Sequence, residues 1–227
     1  GWAMIGVQEL GRLSTAMFAA ALDPRQWDTV LGMMSERFPG VATHILAHDI
    51  GNDRQTGFYA HGYDPEYLES YSEHYAERNP WAATFAAHDV GAVLPSWRMC
   101  PDETLERTEF YQDWLRPQDD IMGGGGTVLD KSAGSAFLLG GNIPRRDRDV
   151  VEPEWLAFMA LVGPMMRHAW AINLRLASGA LERHALAGRA GSEAAILVVG
   201  ADGGVAFANA AAEAMLAGGG VIETSAI

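Results

Sequence analysis

Two pairs of β-forming segments, each joined by a short polar turn and separated from the other by helical pattern, confine this chain to an antiparallel sheet with helices packed on it. Val41 to Ile50 alternates weakly and is rich in β-formers, Gly51-Asn52-Asp53 supplies a turn, and Gln55 to His61 returns as a partner strand. Gly125 to Leu129 and Ser135 to Leu139, with polar residues and a glycine between them, form a second hairpin. A short strand over 91–95 adds a fifth segment to the same sheet.

The helices are read from apolar spacing. Leu10, Leu13, Met17, Ala20 and Ala21 give one buried face over Val7 to Leu22. Asp23 caps a second helix with Pro24 at its first position, and Trp27, Val30, Leu31, Met34 and Phe38 mark its stripe. Asp64-Pro65 opens a third, which Asn79-Pro80 closes because the residue before proline avoids helical angles. A short helix over Trp81 to Ala87 and one over Asp102 to Leu115 follow. From Val151 to about Ala187, Trp155, Phe158, Met159, Val162, Met166, Ala169, Trp170 and Asn173 recur at helical spacing, and Pro164 is expected to kink the helix. A stripe of that length suits packing against a second copy. The fold class is therefore α+β, an antiparallel sheet flanked by helices with a long C-terminal linker helix.

The domains expected are a first domain over 4–150, a linker and dimerisation helix over 151–190, and a partial segment over 191–227. In that last segment the run Ala195 to Val199, the turn Ala201-Asp202-Gly203-Gly204, the strand Val205 to Phe207 and the helix Asn209 to Leu216 form a β-turn-β-α unit too small to bury a core alone. Gly1-Trp2-Ala3, ahead of Met4, is read as lying outside the fold.

Charge and cysteine content exclude several functions. Asp and Glu outnumber Lys and Arg by 29 to 16, a formal charge of -13, and such a surface repels phosphate backbones, so direct nucleic-acid binding is not expected. The longest uncharged apolar run, Trp155 to Met166, is short of the roughly 20 residues that cross a bilayer, so no membrane span is expected. One cysteine, Cys100, permits neither an internal disulfide nor a thiolate cluster, which fits a cytoplasmic protein. No cofactor is implied.

Several motifs invite chemistry and do not carry it. The glycines 123–126 lack the Lys-Ser/Thr pair and following helix of a phosphate loop, and read as the start of a strand or a bulge; Gly140-Gly141 reads the same way. His44 and His48 share a strand face but lie about 13 Å apart along it, too far to hold one metal by themselves. Cys100 has no helix N-terminus behind it, no nucleophile elbow exists, and Asp119-Asp120 reads as a solvated loop. The protein is therefore read as a non-enzyme.

The aromatic residues carry the strongest signal. Tyr63 precedes a helix bearing Tyr67, Tyr71 and Tyr75 at four-residue intervals, and Trp81, Trp97, Phe110, Tyr111 and Trp114 follow. Such a face lines a pocket for an apolar ligand with a few polar groups, or seals helices onto the sheet. The candidate ligand-binding residues are Tyr67, Tyr71, Tyr75, Trp81, Trp97, Phe110 and Trp114, between the sheet and segments 64–78 and 102–115.

Three stretches carry a family resemblance: Ala21-Leu22-Asp23-Pro24-x-x-Trp27, Phe110-Tyr111-Gln112-Asp113-Trp114-Leu115-Arg116-Pro117-Gln118, and Ile196-Leu197-Val198-Val199-x-x-Asp202-Gly203-x-Val205-x-Phe207-Ala208-Asn209. In this order they resemble the sensory region of LuxR-type transcriptional regulators whose GAF-like sensor precedes a PAS-like segment and a C-terminal helix-turn-helix. The resemblance implies ligand sensing, homodimerisation, and DNA binding through a domain beyond residue 227. In the quorum-sensing branch, aromatic and acidic residues ahead of a proline hold an acyl-homoserine lactone. The similar stretch here is Tyr67-x-x-x-Tyr71 with Asn79-Pro80-Trp81, and the missing carboxylate removes a charge-assisted acceptor, which points to another amphipathic or aromatic effector. Three alternatives remain open: a dimerisation and interaction module without a ligand, a small enzyme built on the histidine-bearing hairpin, and a cofactor-bound light or redox sensor.

Overall fold

The structure is a computed structural model that describes residues 5–50, 54–132, 134–189, 197–199 and 205–208. Residues 1–173 form one compact unit and 174–227 a second. Among the described residues, no helix is long and apolar enough to cross a membrane.

The first unit is built on a five-stranded antiparallel sheet made of the five segments expected. Its strands are β1 (Ala42–Asp49), β2 (Arg54–His61), β3 (Val93–Pro95), β4 (Ile121–Ser132) and β5 (Ser135–Pro144), in the order β2-β1-β5-β4-β3. Each hairpin pairs within itself, and β1 joins β5 to fuse the two (Ile45↔Leu139, His44↔Gly140). Both faces of the sheet are covered, which is why the strands read only as weakly alternating. Side chains nevertheless alternate between the layers. Thr43 donates to Leu31 O (2.9 Å), and Tyr59 and Phe137 meet Trp170 on one face, while His44, Phe58 and Leu138 turn to the other.

The first face is covered by α1 (Val7–Leu22), α2 (Trp27–Arg37) and the long helix α7 (Arg148–Arg189). The buried residues of α1 and α2 fall on the stripes that spacing predicts, and Trp27, Val30, Leu31 and Met34 have no exposed surface. In α7 the residues Trp155 to Asn173 singled out above are all buried. Asn173 Nδ2 lies 3.4 and 3.3 Å from Ala20 O and Ala21 O, so it satisfies carbonyls at the end of α1 that have no helical partner. Trp155 Nε1 donates to Gly125 O (2.9 Å), which ties α7 to β4. The helix continues through Pro153 and Pro164, both on its exposed side, where the residues whose carbonyls are left without an N–H, Asp149 and Ala160, are exposed.

The opposite face is covered by short pieces: α3 (Pro65–Ser70), α4 (Pro80–Ala87), α5 (Ser96–Met99), α6 (Asp102–Leu105) and two π-helical turns, Tyr71–Tyr75 and Phe110–Leu115. Two expectations change here. The single helix over 102–115 is instead α6, a turn and a π turn, because Thr108 Oγ1 donates to Leu105 O (2.7 Å) and accepts from Tyr111 N–H (3.1 Å), capping a new start. The helix expected to run to Asn79 loosens at Tyr71 into a π turn and then a 3₁₀ turn over Ala76–Arg78.

The glycine run 123–126 lies inside β4, which begins at Ile121, four residues earlier than the sequence suggests. Gly124 and Gly125 have φ of 127° and 133°, and a Cβ on Gly125 would stand 2.1 Å from Leu94 O. These positions are therefore closed to other residues by backbone angle and by the neighbouring strand. Asp119 and Asp120 are not a free loop: both have left-handed φ (62° and 52°), and they are ion-paired to Arg146 and Arg145 respectively.

In the second unit, β6 (Leu197–Val199) pairs antiparallel with β7 (Val205–Ala208), with Val198 opposite Phe207. The turn 201–204 and the helix expected over 209–216 lie outside the described residues.

Candidate ligand cavity

Between the sheet and the short helices lies a cavity of about 50 Å³, against the roughly 10–15 Å³ that a single water occupies on the same measure. Its floor is the part of the sheet without side chains: Gly125, Gly140 and Gly141 line it, and β4–β5 pairing sets Gly125 opposite Gly141 and Gly126 opposite Gly140. Leu46, Phe58, Ala60 and Leu138 complete the strand side.

The roof is aromatic. Tyr71 from the first π turn packs 4.9 Å from Trp114 of the second; Phe110 stacks on Trp114 at 5.2 Å, and Trp81 stands edge-on to Phe110 at 6.1 Å. Extra residues in π turns mark sites where side chains are re-aimed, and here both turns deliver rings to one space. Of the seven candidate residues, Tyr71, Trp81, Phe110 and Trp114 line the cavity. Tyr67 stands behind the wall, its carbonyl accepting from Trp114 Nε1 (2.9 Å), and half-buried Tyr75 packs outside Phe110. Trp97 is a correction. Ser96 and Met99 take the buried face of α5, which leaves Trp97 51% exposed and away from the cavity.

The polar lining is His44, Tyr63, Asn79 and Asn142, of which spacing did not reveal His44 and Asn142. Asn79 accepts from Trp81 N–H (2.9 Å) as the cap of α4 and donates through Nδ2 to Tyr71 Oη (2.9 Å). His44 Nδ1 lies 2.8 Å from Tyr63 Oη, which donates in turn to Ala42 O (3.4 Å). Burial lowers the His44 pKa to about 4, so its ring is neutral near pH 7. Burial likewise lifts the Tyr71 hydroxyl to about 12, against the lowering effect of the Asn79 hydrogen bond, and holds Tyr63 well above its ordinary value. No Asp, Glu, Lys or Arg is among the lining residues, and His44 is partnered by a phenol, not a carboxylate.

A carboxylate is buried elsewhere. Glu152 of α7 accepts from Gly124 N–H (2.7 Å) and Ser96 Oγ (3.1 Å), with Arg148 Nε at 3.6 Å. It serves the backbone of the glycine run. Cys100 is buried, and its pKa is raised by burial and by Asp102 nearby. Among the described residues no group of three or more His, Cys, Asp or Glu is placed to hold a metal.

No protein-family model matches the chain, and no curated protein matches it in sequence. Among solved structures, the fold is similar to that of the VqsR LBD domain from Pseudomonas aeruginosa, with a TM-score of 0.53 and 14% identity, over 74% of this chain and 95% of that one. That likeness establishes a shared fold.

Proposed function

We propose that this chain is the sensory region of a LuxR-type transcriptional regulator, in which the cavity receives a small apolar or aromatic effector and α7 carries the response onward. The observation that carries the reading is the cavity itself, an uncharged aromatic chamber over a glycine floor, in a fold shared with a domain titled LBD. A core built only for stability fills such space, because interiors pack to crystal-like density.

The roof connects to the start of α7. Tyr111, in the π turn that carries Phe110 and Trp114, donates to Asp120 (2.5 Å), and Arg145 bridges Asp120 (2.8 Å) and Glu106 (2.9 Å). Arg148 of α7 pairs with Asp102. A ligand that moves the roof thereby biases the arrangement of α7. The proposed organisation is a sensor over 4–150, the linker helix over 151–190 and a PAS-like segment over 191–227, in a cytoplasmic homodimer that reaches DNA only through a further domain. Val150, Leu161 and Ile172 support dimerisation: they are exposed at 72%, 52% and 39%, and their spacing of eleven residues puts them on one helical stripe.

Native mass spectrometry of the purified chain, compared with its denatured mass, tests the reading. A small non-protein mass near one per protomer, released on unfolding, is expected. Spin labels near Arg175 test signalling, and equal inter-protomer distances with and without effector would contradict it.

A further inference from the structure

Four polar groups in the cavity have uncommitted hydrogen-bonding capacity, among them Nε1 of Trp81, which is buried without a partner. Nδ1 of His44 shares a hydrogen bond with Tyr63 Oη at 2.8 Å, which leaves Nε2 as the uncommitted ring nitrogen. Nε2 has no partner among the described residues. It is held beside β5 by the absence of a side chain there, since a Cβ on Gly140 would stand 2.6 Å from it. Asn142, two residues further along β5 and 7% exposed, lines the same cavity, and its side-chain amide makes no hydrogen bond to any described residue. Tyr71 Oη accepts from Asn79, and its own proton has no acceptor.

Polar groups that line a cavity without a protein partner, clustered on one wall, are the pattern of a site awaiting complementary groups. The register Ala42↔Asn142 and His44↔Gly140 places both side chains on adjacent strands, opposite the aromatic roof. Resting on the sensor reading above, we infer that the ligand is an uncharged aromatic molecule bearing a phenol-like hydroxyl, able to donate or to accept, that it directs at Nε2 of His44 beside the Asn142 amide. Charge is selected against by the lining, because an ion here would lose its water with no counter-charge to meet it.

The test compares two isosteres, phenol and toluene, on the whole chain, by calorimetric titration and by the ¹⁵N resonance of His44 Nε2. Phenol is expected to move that resonance in the wild type, and toluene to leave it in place. In His44→Leu, phenol affinity should fall about five- to tenfold, the worth of one net hydrogen bond, while toluene stays within about twofold. Binding of both probes with an unmoved Nε2 resonance, or with a phenol-to-toluene ratio unchanged in His44→Leu, overturns the polar assignment and leaves the cavity reading standing. Should His44→Leu fail to fold, the wild-type resonance decides alone. If neither probe binds the folded wild type, the sensor reading falls with it.

Discussion

The side-chain amide of Asn79 donates to the hydroxyl of Tyr71 at 2.9 Å, while its oxygen caps α4 through Trp81 N–H at the same distance. The residue that stands where the family resemblance would place a carboxylate is thus committed to the cavity wall. Asn79→Ala removes the cap and the partner of a buried phenol, and is expected to lower stability by about 2 kcal/mol. Asn79→Asp keeps the cap oxygen and should cost about half as much. Urea unfolding of the two variants checks the order.

His44 makes stability depend on pH in a defined window. Its pKa is about 4 in the folded chain against 6.5 for an unperturbed histidine, so between those values the unfolded chain binds more protons than the folded one. Stability therefore falls as pH drops from about 6.5 towards 4, by up to roughly 3 kcal/mol from this group. The carboxylates whose pKa is lowered by arginine or histidine partners, such as Asp119 and Glu109, have ordinary values of 3.8 and 4.5 and so act at the lower end of that window and beneath it. Unfolding curves between pH 4.5 and 7.5 should show the slope, and His44→Leu should flatten it.

Gly125 and Gly134 both have positive φ, 133° and 79°, but differ in surroundings. A Cβ on Gly134 meets nothing within 4 Å, whereas on Gly125 it strikes Leu94 O. Gly134→Ala should cost about 1 kcal/mol, and Gly125→Ala on the order of 3 kcal/mol or more with loss of β3 pairing. Amide exchange at 93–95 alongside denaturant melts separates the two.

Glu152 is a buried anion whose partners come from β4, α5 and α7. Glu152→Ala leaves Gly124 N–H and Arg148 short of a partner and is expected to destabilise by about 3 kcal/mol. Glu152→Gln retains an acceptor and should cost less, as thermal melts would show.

The periodic elements were legible because one helix face or one hairpin carries its own signal: the buried stripes of α2 and α7 and the five sheet segments follow from spacing. What was not legible depends on contacts distant in sequence. Thr108 breaks the 102–115 helix through its own hydroxyl, and Trp97 turns outward because Ser96 and Met99 take the buried side. The cavity exists because β4 and β5 pair glycine with glycine, an alignment invisible until the register is known. His44 and Asn142 are single polar residues on strands, and their meaning comes from the missing side chain at Gly140.

Thermal unfolding of the wild type and of Ala60→Phe, with and without phenol, tests the central claim most directly, since Ala60 lines the cavity and a phenyl ring there fills it. At ten times its Kd, a ligand bound only by the folded state adds about 1.4 kcal/mol, a rise of about 3 °C or more for a domain of this size. The account predicts that rise in the wild type and none in a folded Ala60→Phe; equal shifts in both, or none in either, would contradict it.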